Sequence, residues 1–424
     1  MEDRIVSVRA QQIIDCKCRP CVEVEIRTES GATGRGAAPT GTSVGMHESF
    51  VLRDGDLSTY KGLSVHKAVE NANNVIGPAL IGMNVFDQRA IDQKMIDLDG
   101  TGEKRHLGGN TIYSVSIAAF RAAADARAIP LYSHIAGRDI WTVPVPCFNL
   151  INGGRYDNLI QPFNEFLIVP YKTDSVDFAI EMAVAVFDKL ADVLTRHLGH
   201  KPLIASSYGY AAPSDDPEVV LSLMQTAIDE CGYTGRIAFA LDCASSEMYD
   251  EETGKYFLKG KQISSDELIA YARSLTEKFD LVFIEDLLDE NDWTGYSRAV
   301  RELTRTIVLG DDLTVTNVSL LHRAHETRAV DGFILKPNQV GTITEAMDAY
   351  RFATANGMIA VPSGRSGGVV DDVVMDFSVG LEVPFQKNGA PRSGERIEKL
   401  NFLMRANARS PGCRLYDISP LLKF

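Results

Sequence analysis

Five short apolar runs in the second half of the sequence each end on polar side chains able to do chemistry. Asp242 follows Ile237-Ala238-Phe239-Ala240-Leu241, Glu285 follows Val282-Phe283-Ile284, and Asp311 follows Ile307-Val308-Leu309-Gly310. Lys336 follows Phe333-Ile334-Leu335, and Ser363, Gly364, Arg365 and Ser366 follow Ile359-Ala360-Val361-Pro362. Asp242, Glu285, Asp311, Lys336 and Arg365 are separated by 43, 26, 25 and 29 residues. Each interval suits one strand–helix unit, and a β/α barrel brings the C-terminal ends of all its strands to one mouth. One carboxylate at a strand end is explained by capping of the next helix. Three in succession make a hard-oxygen cage for Mg²⁺, with coordination positions left for substrate oxygens. Lys336, one strand further on, is placed to act as a base if the cation and a dry pocket lower its pKa. Arg365 with Ser366 offers a forked cation and a hydroxyl to an anionic phosphate or carboxylate, and Lys387 adds a second cation at the last barrel position.

These side chains need a scaffold, and the patterning supplies one. Apolar strands are predicted near 236–241, 281–284, 307–310, 332–336 and 358–362, alternating with helices near 264–278, 294–303, 318–327 and 342–356 after a long amphipathic stretch at 175–198. Alternation of this length predicts a parallel sheet and favours a barrel. Upstream, residues 21–27 alternate, a Gly-rich loop runs from Gly31 to Gly45, and helical periodicity covers 64–78 and 111–128. The fold class is α/β: an N-terminal α+β capping domain over 1–135, a Pro-containing linker at 141–146, and a C-terminal β/α barrel over 143–424.

Apolar residues at 45% and charged residues at 24% are ordinary for a globular chain, which excludes disorder and coiled coil. The formal net charge of −14 opposes binding to nucleic acid or an anionic membrane. The N-terminus has no apolar leader, no apolar run reaches membrane-spanning length, and a cytoplasmic location is expected. Seven cysteines, an odd number, exclude a disulfide framework, and Cys16, Cys18 and Cys21 read as inert thiols.

The motifs resemble the enolase family from Ile5 to about Arg405. They are Gly310-Asp311-Asp312-Leu313-Thr314-Val315-Thr316-Asn317, Leu241-Asp242-Cys243-Ala244-Ser245-Ser246-Glu247, Leu335-Lys336 with Asn338-Gln339, and Leu52-Arg53-Asp54-Gly55-Asp56. The resemblance implies a capping domain, a barrel with irregular first units, and at least a homodimer. It implies that Asp242, Glu285 and Asp311 hold the tightly bound Mg²⁺, and that Ser43 helps admit a second. By the same resemblance Lys336 takes a proton α to a carboxylate, and Lys387 is the partner of that carboxylate. Enolase-superfamily sites pair such a base with Mg²⁺ that stabilises an ene-diolate.

Departures from the family pattern fall on one side of the site. Where enolases read Gly-Asp-Glu-Gly-Gly this chain has Ser206-Ser207-Tyr208-Gly209-Tyr210, so Tyr208 replaces the glutamate that helps expel hydroxide. Gly153-Gly154-Arg155-Tyr156 replaces Gly-Gly-Ser-His, and Ser363-Gly364-Arg365-Ser366-Gly367-Gly368 replaces Ser-His-Arg-Ser-Gly-Glu. Two site histidines thus become Tyr156 and Gly364, while Glu165, in Asn164-Glu165-Phe166, survives as the only carboxylate matching the family pair that handles the leaving hydroxyl. The catalytic candidates are Lys336, Glu165, Lys387 and Tyr208, and the substrate-binding candidates Arg365, Ser366, Ser363, Gly364, Tyr156 and Lys387. A phenol, with its usual pKa near 10, is a poor acid for this departure. The leading expectation is therefore a transferase resembling the carboxyphosphonoenolpyruvate synthases, which moves a phosphonoformyl group from its CMP ester to an enolpyruvyl oxygen. Small phosphorylated or phosphonate substrates and a cytidine nucleotide stacked on Tyr208 or Tyr156 follow from it. The alternatives are dehydration of 2-phosphoglycerate to phosphoenolpyruvate with a substitute acid, and a silent homologue.

Overall fold

The computed structural model describes residues 2–41, 45–156 and 159–424. The N-terminal strands Ile5–Ile14, Pro20–Thr28 and Thr33–Ala37 form an antiparallel meander. Its alternation buries Val22, Val24 and Ile26 on one face, against the helix Gly109–Asp125. Close approach is possible because Gly34 and Gly36 face that helix: a Cβ at either position would overlap its backbone. Helix Gln88–Asp99 is capped by Asp87 and ended by Gly100 at φ 70°.

Eight strands of the second part follow one another in a ring. They are Val145–Tyr156, Leu159–Pro170, Ile237–Asp242, Leu281–Glu285, Ile307–Gly310, Gly332–Leu335, Ile359–Pro362 and Phe385–Lys387. The last pairs in parallel with the first, and a bridge between Ser363 and Lys387 joins the remaining gap. The sheet is not wholly parallel, as the strand–helix alternation predicted. Leu159–Pro170 runs antiparallel to both neighbours. It follows Val145–Tyr156 with no helix between, and only a crossover of a dozen or more residues can return a chain for parallel pairing. The predicted linker at 141–146 is itself structured: Thr142–Val143 pairs with Arg414–Leu415, and Val145 pairs with Phe385. Its prolines exclude helix but not strand. A small hairpin sheet at 249–263, which the pattern did not foretell, covers one flank.

Strand parity aims the chemistry. Ala238 and Ala240, Phe283, Ile307 and Leu309, Ile334, Val361 and Phe385 belong to one interior cluster, while Phe239, Leu241, Val308 and Leu335 pack in another under the helices. Stepping two residues beyond the interior positions reaches Asp242, Glu285, Asp311, Lys336, Ser363 and Lys387. Period-two alternation therefore points all six into the mouth.

The N-terminal part is clamped to this barrel. Asp92, fully buried, accepts from Ser116 Oγ at 2.6 Å, Gln88 Nε2 at 3.0 Å, and Thr344 N and Oγ1 at 2.9 and 2.6 Å. At the mouth, Ser49 N donates to Gln339 O at 2.7 Å and Ser49 Oγ to Asn338 O at 2.9 Å. Among the described residues, no helix is long and apolar enough to cross a membrane.

Candidate active site

A cleft of about 780 Å³ opens at the C-terminal ends of the barrel strands, lined among others by Glu165, Asp242, Asp311, Lys336, Arg365 and Lys387. Glu285 and Asp242 are register partners on adjacent parallel strands, and Asp311 follows the next strand. Lys387 Nζ lies 2.5 Å from Glu285 Oε2, 3.1 Å from Asp242 Oδ2 and 3.6 Å from Glu165 Oε2. Lys336 forms an ion pair with Asp311, whose other oxygen accepts from Gln339 Nε2 at 2.9 Å.

The titrations follow from this crowding. Burial, then the Asp242 charge, hold the Glu285 carboxyl well above the usual range. Burial also acts against ionised Asp311, but Lys336 outweighs it and the carboxyl is held down. Lys387 is pushed well up because Asp242 and Glu285 overcome its burial. Burial pulls the Lys336 pKa down, and the Asp311 carboxylate more than offsets that and holds it above its ordinary value.

The carboxylate set fits a divalent cation. Glu285 Oε1 is buried and has no hydrogen-bond partner among the described residues, and three carboxylates from consecutive strands share one low-dielectric mouth. Hard oxygen donors of this kind suit Mg²⁺. Among the described residues, the carboxylates whose oxygens all come within 4.8 Å of one another are Asp286, Asp311 and Asp312 rather than the predicted set Asp242, Glu285 and Asp311. Asp286, however, has its oxygens occupied by Asp311 N at 2.8 Å, Asp312 N at 2.9 Å and Tyr296 Oη at 3.2 Å. With φ at 45°, it braces the loop after Glu285.

Arg365 is buried in a two-pronged pair with Glu48, at 2.8 Å and 3.1 Å. Ser363 Oγ donates to Gly364 O at 3.1 Å, and Ser366 lines the cleft while its carbonyl accepts from Cys16 Sγ at 3.5 Å. Glu165 Oε1 accepts from Asn149 Nδ2 at 3.0 Å. Ser43 lies outside the described residues. Tyr208, at φ 71°, donates its hydroxyl to Cys16 O at 2.7 Å and sits beneath the Arg396 guanidinium, 5.1 Å from the ring centre. Tyr156 donates to Gly153 O at 2.9 Å. The wall at this end is made by Gly154, Arg155, Ser206 and Ser207 rather than by either ring. Both phenols are held above their ordinary pKa by burial.

Sequence reading missed Glu48, Arg396 and Lys399. Glu48 lies in a loop of the other part, and Arg396 and Lys399 lie on a helix, Gly394–Arg409, with no motif to mark them. Gln339 was legible only through its place beside Asn338 in a quoted motif.

Two family models cover the chain: the enolase N-terminal domain matches residues 5–135, and the enolase C-terminal TIM barrel domain matches residues 140–412. The chain belongs to the enolase family. It is 40% identical over 402 residues to a curated protein named Enolase from Methanococcus aeolicus, covering 95% of this chain and 94% of that relative. This similarity overturns the preference for a transferase over a lyase, because the relative's name denotes a lyase and the similarity spans both enolase domains. The altered motifs around Tyr208, Tyr156 and Gly364 gave that preference its weight. They are local substitutions within an enolase framework.

Proposed function

We propose that this enolase-family protein removes water from 2-phosphoglycerate to give phosphoenolpyruvate. The observation that supports this reading is the lysine and carboxylate set at one barrel mouth, in a chain 40% identical across both domains to a protein named Enolase. Asp242, Glu285 and Asp311 would hold Mg²⁺, which when bound supplies charge stabilisation for a carboxylate that becomes more anionic as its α-proton leaves. Lys336 Nζ takes that proton in its neutral form, so its pairing with Asp311 has to give way when the site is loaded. Lys387 holds the substrate carboxylate beside Glu285 and Asp242, while Arg365 and Ser366 hold the phosphoryl group. Glu165, in its protonated form, faces the β-hydroxyl and gives it a proton as the C–O bond breaks and the C–C double bond forms, so that the group leaves as water and Glu165 is left as a carboxylate. With Tyr208 bonded to a carbonyl, the acid side is thin, and a turnover 10²–10⁴-fold below an enzyme with a full acid is expected.

Proton abstraction is tested apart from net turnover by following loss of the C2 proton of 2-phosphoglycerate in D₂O with Mg²⁺ by NMR. Exchange in the wild type and none in Lys336→Ala is expected. Absence of both exchange and product in the wild type would overturn the reading.

A further inference from the structure

The helix Gly394–Arg409 sends three charged side chains inward in its first turns. Glu395, Arg396 and Lys399 are each 4% exposed. Burying ions costs several kcal/mol apiece unless they are paired, so their presence here asks for a reason. Lys399 Nζ lies 2.5 Å from Glu395 Oε1, and Arg396 Nε lies 3.8 Å from Glu395 Oε2 while donating to Ser207 O. Glu395 Oε1 is engaged by Lys399, while Oε2 accepts no hydrogen bond among the described residues. Lys399 and Arg396 both line the cleft that holds Lys336 and Lys387.

Two glycines make room for this pair. A Cβ at Gly364 would overlap Lys399 Nζ, and a Cβ at Gly368 would overlap Glu395 Oε1. These are the two positions of the motif Ser363-Gly364-Arg365-Ser366-Gly367-Gly368 where the chain departs from the family pattern. The absence of a side chain at both positions leaves the volume that the Lys399–Glu395 ion pair occupies. It leaves an ammonium in the wall next to Arg365 and Ser366. Glu395 balances one positive charge, and Arg396 and the exposed Arg155 leave this edge of the cleft cationic. Asp372, whose buried Oδ2 has no hydrogen-bond partner among the described residues, is the other carboxylate close to the Gly364 edge.

We propose that Lys399 is a substrate-contacting residue whose ammonium, admitted by Gly364, binds an anionic oxygen of the phosphorylated substrate. The proposal rests on the reading of the substrate given above. Charge-assisted hydrogen bonds of this kind are among the strong ones, and losing one typically weakens binding by about 10–100-fold.

The test compares wild type, Lys399→Met, Lys399→Met with Glu395→Gln, and Gly364→Ala, all with Mg²⁺. Phosphoenolpyruvate affinity is read by calorimetry, KM and kcat with 2-phosphoglycerate, and folding by thermal melting. The double variant removes both charges and so avoids an uncompensated buried carboxylate. Its Kd and KM should rise at least tenfold, with a smaller change in kcat and a melting temperature near the wild type. Gly364→Ala keeps the lysine but displaces its ammonium, and the same rise in Kd and KM is expected. Wild-type Kd and KM in the folded double variant, or in Gly364→Ala should the double variant not fold, would overturn the proposal. A wild type that binds phosphoenolpyruvate without converting 2-phosphoglycerate overturns the assigned reaction alone, and the Kd comparison still decides Lys399. A wild type that does neither overturns both.

Discussion

Lys387 lies 2.5 Å from Glu285 at the bottom of the barrel mouth, the lysine 5% and the carboxylate 0% exposed. The pair lets three carboxylates coexist in a low-dielectric site: the ammonium supplies the positive charge that a divalent cation would share. Removing one partner of a buried pair typically costs 3–5 kcal/mol, because the other charge is left uncompensated. Lys387→Met should therefore melt well below the wild type in chelator. Millimolar Mg²⁺ should raise its melting temperature more than that of the wild type. An equal shift in both proteins would show that the cation does not settle among these carboxylates.

Asp242→Asn and Glu285→Gln each remove a charged oxygen donor from the proposed cage. Both should lower Mg²⁺ affinity at least tenfold in a calorimetric titration and abolish turnover. Undiminished affinity in both would place the cation elsewhere.

Glu48 reaches from the N-terminal part to grip Arg365 with both oxygens, and each side chain is 4% exposed. Glu48→Ala should lower stability to denaturant by about 3–5 kcal/mol. It should also raise KM, since the arginine proposed to hold the phosphoryl group loses its brace. A stability within 1 kcal/mol of the wild type would mean that the pair is replaced by others around Arg365.

Much of this site could be read before the fold was known, for a reason visible in single strands. Asp242 sits two residues beyond Ala240, Asp311 two beyond Leu309 and Lys387 two beyond Phe385, so alternation alone turns each inward. The spacing between runs supplied the barrel. Alternation says nothing of connectivity without a helix, so the antiparallel strand Leu159–Pro170 was foreshadowed only by the irregular first units that the family resemblance implied. Nor does it reveal contacts made across the molecule. Lys399 reaches the cleft only because Gly364, 35 positions earlier, leaves the space, and Tyr208 turns to Cys16 through a backbone angle that its residue type does not advertise.

Asp92, which ties two helices of the N-terminal part to Thr344 of the barrel, is pushed up to about 6 by burial, against the hydrogen bonds that favour its charge. A carboxyl whose folded pKa is raised binds its proton more tightly in the folded state. Its contribution to stability is full below the unfolded value of about 3.9 and is lost as the pH rises through 6. The stability difference between wild type and Asp92→Asn should therefore shift against the wild type between pH 4 and 7, by roughly 3 kcal/mol at most. Denaturant melts at several pH values measure it, and a difference independent of pH would contradict the shift.

The dehydration proposed for this mouth is read directly by the ultraviolet absorbance of phosphoenolpyruvate. Purified protein, 2-phosphoglycerate and Mg²⁺ should give a steady rise that chelator stops and Lys336→Ala lacks. Its rate should fall below the roughly 10 per second usual for enzymes, because Tyr208 cannot serve as the missing acid. No absorbance above the protein-free background, from a preparation that binds phosphoenolpyruvate and Mg²⁺, would contradict the account.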